Sequence, residues 1–276
     1  MNCEINRVKV EILDPDTIRA TSVCEITSSN LNTDSIKLRQ NGLYDNRMGN
    51  IGYHEKCQTC ACDINDCPGH FGHIDLPLPC FHPFFLNEVY SIIKECCVHC
   101  QAWNGPNEKE CRLCNENIGK WSRTNQYKDH FVHSFRHNKT QIATTDVLKM
   151  LKSYDQQHPD QHQPREWLLT TVLPVIPIVA RPLVRSRDMH SHNSLTLTYS
   201  NIVKEKRLLA IFLKQNRAQH IIKQQQTRLQ NTVYKIYDVK NQNEGKYLEG
   251  IRQRLDSKQG RFRKNLLGKR CDFSAR

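Results

Sequence analysis

Apolar residues recur along this chain with two different periods, and the change of period marks its segments. Between residues 5 and 30 they alternate with polar ones (Val8, Val10 and Ile12, then Ile18, Val23 and Ile26). That is the pattern of short half-buried strands, broken at Asp14-Pro15. From Phe84 to Cys97 the spacing of Phe85, Val89, Ile92, Ile93 and Cys96 is helical. Thr144-Thr145-Asp146 offers N-cap residue types ahead of Val147, Leu148 and Leu151, which predicts a short helix. A long helical pattern runs from about Ile202 to Leu229.

Two stretches fit neither period. Residues 40–80 are crowded with Gly, Pro, Cys and His, which predicts loop held by something other than packing. Residues 165–182, REWLLTTVLPVIPIVARP, are apolar but carry Pro174, Pro177 and Pro182, with Pro164 just before them. Proline cannot donate to a helix or a ladder, so this run is expected to be extended and buried without belonging to either. Its apolar face, Trp167 to Val179, is expected to find cover on other polypeptide segments. A polar loop at 185–194 follows.

Length and charge narrow the picture. The 276 residues suffice for one large domain or two modest ones. Net charge is −5 over residues 1–100, +10 over 101–250 and +7 over the last 26. More than half of the +12 total thus sits at one end, which points to a polyanionic partner met there, nucleic acid first. No apolar stretch approaches the ~18 residues of a membrane span, and the N-terminal residues lack the apolar core of a secretory signal, so no membrane partner is expected.

Ten of the 13 cysteines lie between Cys57 and Cys114. In a reducing compartment that clustering speaks for metal and not for disulfides. The first group reads Cys57-x-x-Cys60, six residues, Cys67-x-x-His70; Cys62 and His73 stand close enough to leave the fourth donor open. The second reads Cys97-x-x-Cys100, ten residues, Cys111-x-x-Cys114, with Gly105-Pro106 to turn the loop. Three thiolates with an imidazole, and four thiolates, are both tetrahedral zinc sets, and a full set leaves no open position for catalysis. Two structural Zn²⁺ are therefore expected, and a zinc-dependent nuclease is excluded. The fold class that follows is α+β and zinc-stabilised: mixed helices and short antiparallel strands with loop-rich zinc-binding segments. His130, His133 and His137 could form a third site on a helix. They read more simply as solvated positions flanking Phe131 and Phe135, since no further donor is spaced to complete a shell.

The tail, IRQRLDSKQGRFRKNLLGKRCDFSAR, interrupts its basic residues with Gly260 and Gly268, so backbone and guanidinium groups can approach phosphates closely. Here the chain resembles a known family. The pattern G-R-x-R-x-N-L-x-G-K-R-x-D-F-S-A-R is similar to the switch 2 segment of the largest subunit of multisubunit DNA-directed RNA polymerases. The first Cys group with its flanks, GLYDNRMG…CQTC…DCPGHFGHIDLPLPCFHPFF, resembles the zinc-bearing N-terminal region of the eukaryotic-type enzyme, and EWLLTTVLPVIPIVARP its buried Pro-rich strand.

The resemblance implies three portions. Residues 1–165 would be a clamp core and clamp head, with zinc on Cys57, Cys60, Cys67, His70 and on Cys97, Cys100, Cys111, Cys114. Residues 166–250 would hold the Pro-rich strand, a lid-like loop at 187–197, long helices and a rudder-like loop at 238–245. Residues 251–276 would be the switch, with Lys258, Arg263, Arg270 and Arg276 on template DNA. The implied partners are template DNA and the RNA–DNA hybrid, the remainder of the largest subunit, the second-largest subunit and smaller subunits. Asp256 stands where relatives often carry a basic residue, the second Cys loop is short, and the stretch 200–235 matches poorly. The short loop and the GLYDNRMG spelling look more like large cytoplasmic DNA viruses than a cellular nucleus; an intracellular place is expected, the viral factory, cytoplasm or virion for a viral protein and the nucleus for a cellular one. Catalysis in the family needs an Asp-rich loop that holds Mg²⁺. This chain has only Asp14-Pro15-Asp16, so Mg²⁺ chemistry is expected outside it, and the chain is expected to continue or to have a companion polypeptide. The alternative is a free-standing zinc-binding nucleic-acid-binding transcription factor, which has no need of the Asp272-Phe273-Ser274-Ala275 ending.

Overall fold

The computed structural model describes residues 12–32, 34–106, 108–118, 121–125, 133–137, 140–159, 163–186, 189–237, 250–256, 258 and 260–268. Its centre is an antiparallel ladder. Strand β1 (Gly72–Phe81) pairs with β5 (Leu169–Val175), Gly72 opposite Val175 and Phe81 opposite Leu169, with an irregularity between Asp75 and Cys80. Pro77 and Pro79 fall in that irregularity, where a missing donor costs nothing. The Pro-rich run is thus a ladder strand after all. Its burial is largely internal: Leu169, Val172, Leu173, Val175 and Ile178 are buried within this chain, which corrects the expectation of outside cover for these five, while Trp167 and Ile176 are half-buried and Val179 is exposed.

The ladder joins two apolar cores. On one side Ile74, Cys80, Leu173 and Val175 pack with Leu43, Tyr44 and Met48 and with two long antiparallel helices. These are α5 (Ser194–Lys214) and α6 (Gln219–Tyr237), into which the long helical pattern expected over 202–229 divides. Leu195, Tyr199, Ile202 and Val203 of α5, and Leu229, Val233 and Ile236 of α6, form the buried stripes. On the other side Phe81 and Leu169 pack with α3 (Leu86–Ile93) and α4 (Thr144–Gln157) through Leu86, Val89, Ile92, Ile93, Val147, Met150 and Leu151. At roughly 1.5–3 kcal/mol per buried aliphatic side chain, either core outweighs any single polar contact around it. Gln230 of α6 reaches across to the ladder end, accepting from Phe81 N at 2.7 Å and donating to Phe81 O at 2.8 Å.

Several expectations change. Asp14-Pro15 starts a helix instead of interrupting strands: α1 (Pro15–Thr21) has Pro at its first position and the Asp14 carboxylate accepting from Thr17 N. Residues 23–26 run beside β1, with Ile26 N donating to His73 O at 2.8 Å, while residues 5–11 lie outside the described residues. Leu43, Tyr44 and Met48 are buried, so residues 40–80 are held by packing as well as by their Cys turns. Helix α4 is longer than expected and is capped at Ala143 without a side-chain bond; the Thr144 hydroxyl accepts from Gln226 of α6 instead. Residues 133–137 form strand β3, between β2 (Trp121–Asn125) and β4 (Thr140–Gln141), so His133 and His137 are not helical; His130 lies outside the described residues. The loop at 185–194 carries a short hairpin, β6 (Val184–Ser186) with β7 (Met189–Ser191). The fold is α+β, as expected. No helix among the described residues is long and apolar enough to cross a membrane.

Candidate metal centres and a basic end segment

One turn recurs at three places. In Cys57-x-x-Cys60, Cys97-x-x-Cys100 and Cys111-x-x-Cys114 the next residue is left-handed: Ala61 at φ 58°, Gln101 at 62° and Asn115 at 58°. The first Cys of each then donates its N–H to the residue beyond, Cys57 to Cys62 O (3.0 Å), Cys97 to Ala102 O (2.9 Å) and Cys111 to Glu116 O (2.8 Å). Non-Gly residues with positive φ are uncommon, and three at equivalent positions mark a shared geometric demand: both sulfurs of each turn must face one point.

They do. The ligand atoms of Cys57, Cys60, Cys67 and His70 all lie within 4.8 Å of one another, and so do those of Cys97, Cys100, Cys111 and Cys114. The sulfurs of Cys60 and Cys67 are 3.6 Å apart, those of Cys97 and Cys114 3.5 Å, and those of Cys100 and Cys111 3.4 Å. A tetrahedral ion with metal–sulfur bonds of about 2.3 Å puts sulfurs about 3.8 Å apart. The donor sets therefore fit such an ion almost without movement. Among the described residues no cysteine is in a disulfide. His70, and neither Cys62 nor His73, stands with the three sulfurs of the first set. Cys62 turns its sulfur to Cys60 O, and His73 belongs to a different group with Glu25 and Asp75. That group is already neutralised: Lys206 pairs with Glu25 at 3.0 Å, Arg19 with Asp75 at 2.9 Å, and Ser22 with the His73 ring at 2.7 Å.

The thiols are electrostatically uneven in the absence of an ion. The hydrogen bond from His70 holds Cys60 down at about 6, whereas burial pushes Cys67 up to about 12. Burial likewise raises Cys100 to about 12; at Cys111 burial is outweighed by the Cys114 and Leu113 N–H groups, which bring it to about 6. Each set thus contains one thiol shifted towards the thiolate and one shifted away from it.

The supports of the two sets were not foreseen. Around the first, Asp45 caps the turn Asn46–Met48, Met48 O accepts from His70 N at 3.1 Å, and Asn50 donates to Cys62 O at 3.0 Å. These residues are the GLYDNRMG segment and its neighbour. Gly69 has φ +80°, and a Cβ there would stand 2.6 Å from the Pro177 side chain. Only glycine meets both conditions. Around the second, buried Asn104 donates to Ala102 O and accepts from Arg112 N, both at 3.0 Å. Trp103 then docks the loop on α4, its N–H accepted by Ser153 at 3.2 Å and its ring edge-on to Tyr154. A left-handed residue after Cys-x-x-Cys is the one signal that could have been read in advance, and only at Asn115, a residue type that tolerates that conformation.

The basic end begins at Gly250 with α7 (Ile251–Asp256) and ends in a π-helical turn, Phe262–Leu267. Lys258 and Arg263 are exposed, beside the equally exposed Arg261 and Lys264. Arg270 and Arg276 lie outside the described residues, as do residues 187–188 of the lid-like loop and the whole of 238–245. Asp14 and Asp16 serve α1, as its cap and as partner of Arg19 at 3.0 Å.

Fold and sites define an α+β module with two cysteine-rich clusters that could each hold a metal ion, and an exposed cationic end segment. The chain belongs to the family RNA polymerase Rpb1, domain 1, which it matches over residues 2–104 and 103–266. It is 29% identical to DNA-directed RNA polymerase subunit Rpo1N of Methanocaldococcus jannaschii over 99% of this chain and 24% of that protein. It is 28% identical to DNA-directed RNA polymerase II subunit RPB1 of Euplotoides octocarinatus, over 99% of this chain and 69% of the relative. With Rpo1N of Sulfolobus acidocaldarius identity is also 28%, over 99% and 36%. The chain thus spans about a quarter to two thirds of the length of these relatives.

Proposed function

We propose that this chain is the clamp portion of the largest subunit of a DNA-directed RNA polymerase, and that it closes over template DNA and the RNA–DNA hybrid while the catalytic Asp loop with its Mg²⁺ lies elsewhere in the assembly. The observation that carries the reading is the family match, which runs from residue 2 to residue 266 in two abutting stretches and so takes in both Cys groups, Lys258 and Arg263. Zinc is the ion that suits both donor sets, and it would hold loops together without entering the chemistry. Residues 1–165 form the zinc-bearing clamp in this reading, 166–250 the strand, lid-like and rudder-like portion, and 251–276 the switch; the β1–β5 ladder ties the first two together. Lys258, Arg263, Arg270 and Arg276 hold the template through phosphates, which positions the strand without reading its sequence.

The test uses the assembled enzyme, with the rest of the largest subunit and the second-largest subunit. Arg263→Ala should weaken template binding similarly for all sequences and reduce the salt slope by about one phosphate contact, roughly 0.7 to 0.9 in log–log units. RNA output should fall with the zinc content unchanged. Lys139→Ala, a basic residue outside the switch, should do much less. Equal small effects from both would reject the switch assignment, and RNA synthesis by the chain alone would reject the placement of the active site.

A further inference from the structure

The basic end segment is tied to the rest of the chain by one side chain in particular. Arg254, on α7, donates from Nη1 to Ala180 O at 2.6 Å and from Nη2 to Asn193 Oδ1 at 2.9 Å. Asn193 is the N-cap of α5, and the same oxygen accepts from Leu195 N at 3.0 Å. Ala180 closes the 3₁₀ turn Ile178–Ala180, which directly follows Pro177. Pro177 in turn fills the space that a side chain at position 69 would need, inside Cys67-x-x-His70 of the first metal centre. On its other face the turn is pinned by Arg181, wholly buried, which donates to Ile176 O and Leu43 O. A continuous path of contacts therefore leads from the first metal centre through Gly69, Pro177 and Ala180 to Arg254.

The start of α7 is anchored separately. Gly250 sits against the last carbonyls of α6, a Cβ there standing 3.0 Å from both Ile236 O and Tyr237 O, and Ile251 packs on the core beneath α5 and α6. Those contacts hold the beginning of α7, and Arg254, one turn further on, adds the two hydrogen bonds to the 178–180 turn and the α5 cap. Among the described residues the second metal centre shows no such connection; its loop docks on α4 through Trp103, Gln101 and Gln157.

We propose that Arg254 is a positioning residue: it latches the basic segment to the turn that buttresses the first metal centre, so that an ion bound in that centre, and not in the second, sets where Lys258 and Arg263 stand. The proposal rests on the zinc reading above. A guanidinium suits the role because its planar fork serves two acceptors on different segments at once, which a single ammonium does not.

Amide hydrogen exchange of residues 250–256 and zinc content, measured on the full chain, test it. Arg254→Ala should keep two zincs and speed exchange in α7 roughly tenfold, a typical coupling factor. Arg254→Lys should recover only part of the protection. Cys60→Ser should speed exchange in α7 as much as Arg254→Ala does, the double variant no further, and Cys100→Ser should leave α7 as it is. Coupling is reciprocal, so Arg254→Ala should also weaken the apparent affinity of one zinc, in chelator competition, by the same factor and leave the other unchanged. The latch is wrong if α7 exchange is unmoved in Arg254→Ala, if Cys60→Ser and Cys100→Ser act alike, or if both zincs or neither weaken. A wild-type chain that binds fewer than two zincs overturns the metal reading first, and the latch with it.

Discussion

The two metal centres use the same turn and are built into the molecule differently. In the first, the segment that supports the ligand turns supplies Leu43, Tyr44 and Met48 to the larger core, and Pro177 wedges the last ligand turn. In the second, all four ligands lie within one loop that docks on α4 largely through Trp103. A donor set that shares its segments with a core makes metal binding and core packing one event. A set confined to a docked loop keeps them separate.

Metal removal separates the two cases most strongly. A chelator should expose the region 40–75 to proteolysis along with the core helices, whereas loss of the second ion should expose only the region around 97–118. Structural zinc is worth on the order of 10 kcal/mol in small domains, so the effect should be near complete. Equal, local proteolysis at both would remove the distinction. Gly69→Ala comes next. It places a Cβ against Pro177 at an unfavourable φ, and zinc content should fall from two to one with a lowered Tm, an outcome of more than about 2 kcal/mol.

His82, where β1 passes from one core to the other, offers a pH test of their join. Burial beside Phe85 and Tyr237 lowers it to about 4, so the folded chain binds fewer protons than the unfolded one between about 6.5 and 4. Stability is then full above about 6.5 and is lost as pH falls towards 4, by at most about 3 kcal/mol. His82→Phe should flatten that part of the pH–Tm curve with zinc held in excess. Asn104→Ala removes two hydrogen bonds inside the second loop and should cost about 1–3 kcal/mol, weakening one zinc only. Cys62→Ser should change least, within about 0.5 kcal/mol and with two zincs retained, because its sulfur is not a ligand. Loss of a zinc in that variant would restore Cys62 as a donor.

The two groups of four clustered side chains, the long-helix region and the cationic end could be read from the residues because each rests on local information. Cys-x-x-Cys spacing is set by one turn, helical periodicity by one helix face, and charge by counting. What could not be read depends on partners distant in sequence. Pro174 looks incompatible with a ladder until His73 is found opposite it across β1, a strand almost a hundred residues earlier. The alternation at 5–30 gave the wrong element at Pro15–Thr21, because a proline that ends a strand also starts a helix, and only the position of Asp14 as cap decides between them.

Sequence by itself determined which side chains can hold metal and where the cationic end lies, since ligand chemistry and charge belong to the residues wherever they fold. Tertiary structure alone decided that His70 and not His73 stands with the first three sulfurs, that Gly69 must remain a glycine beneath Pro177, and that Arg254 joins the basic segment to the turn after Pro177. Each of those is a choice between chemically equivalent candidates, and only distances of a few ångströms between segments remote in the chain can make it.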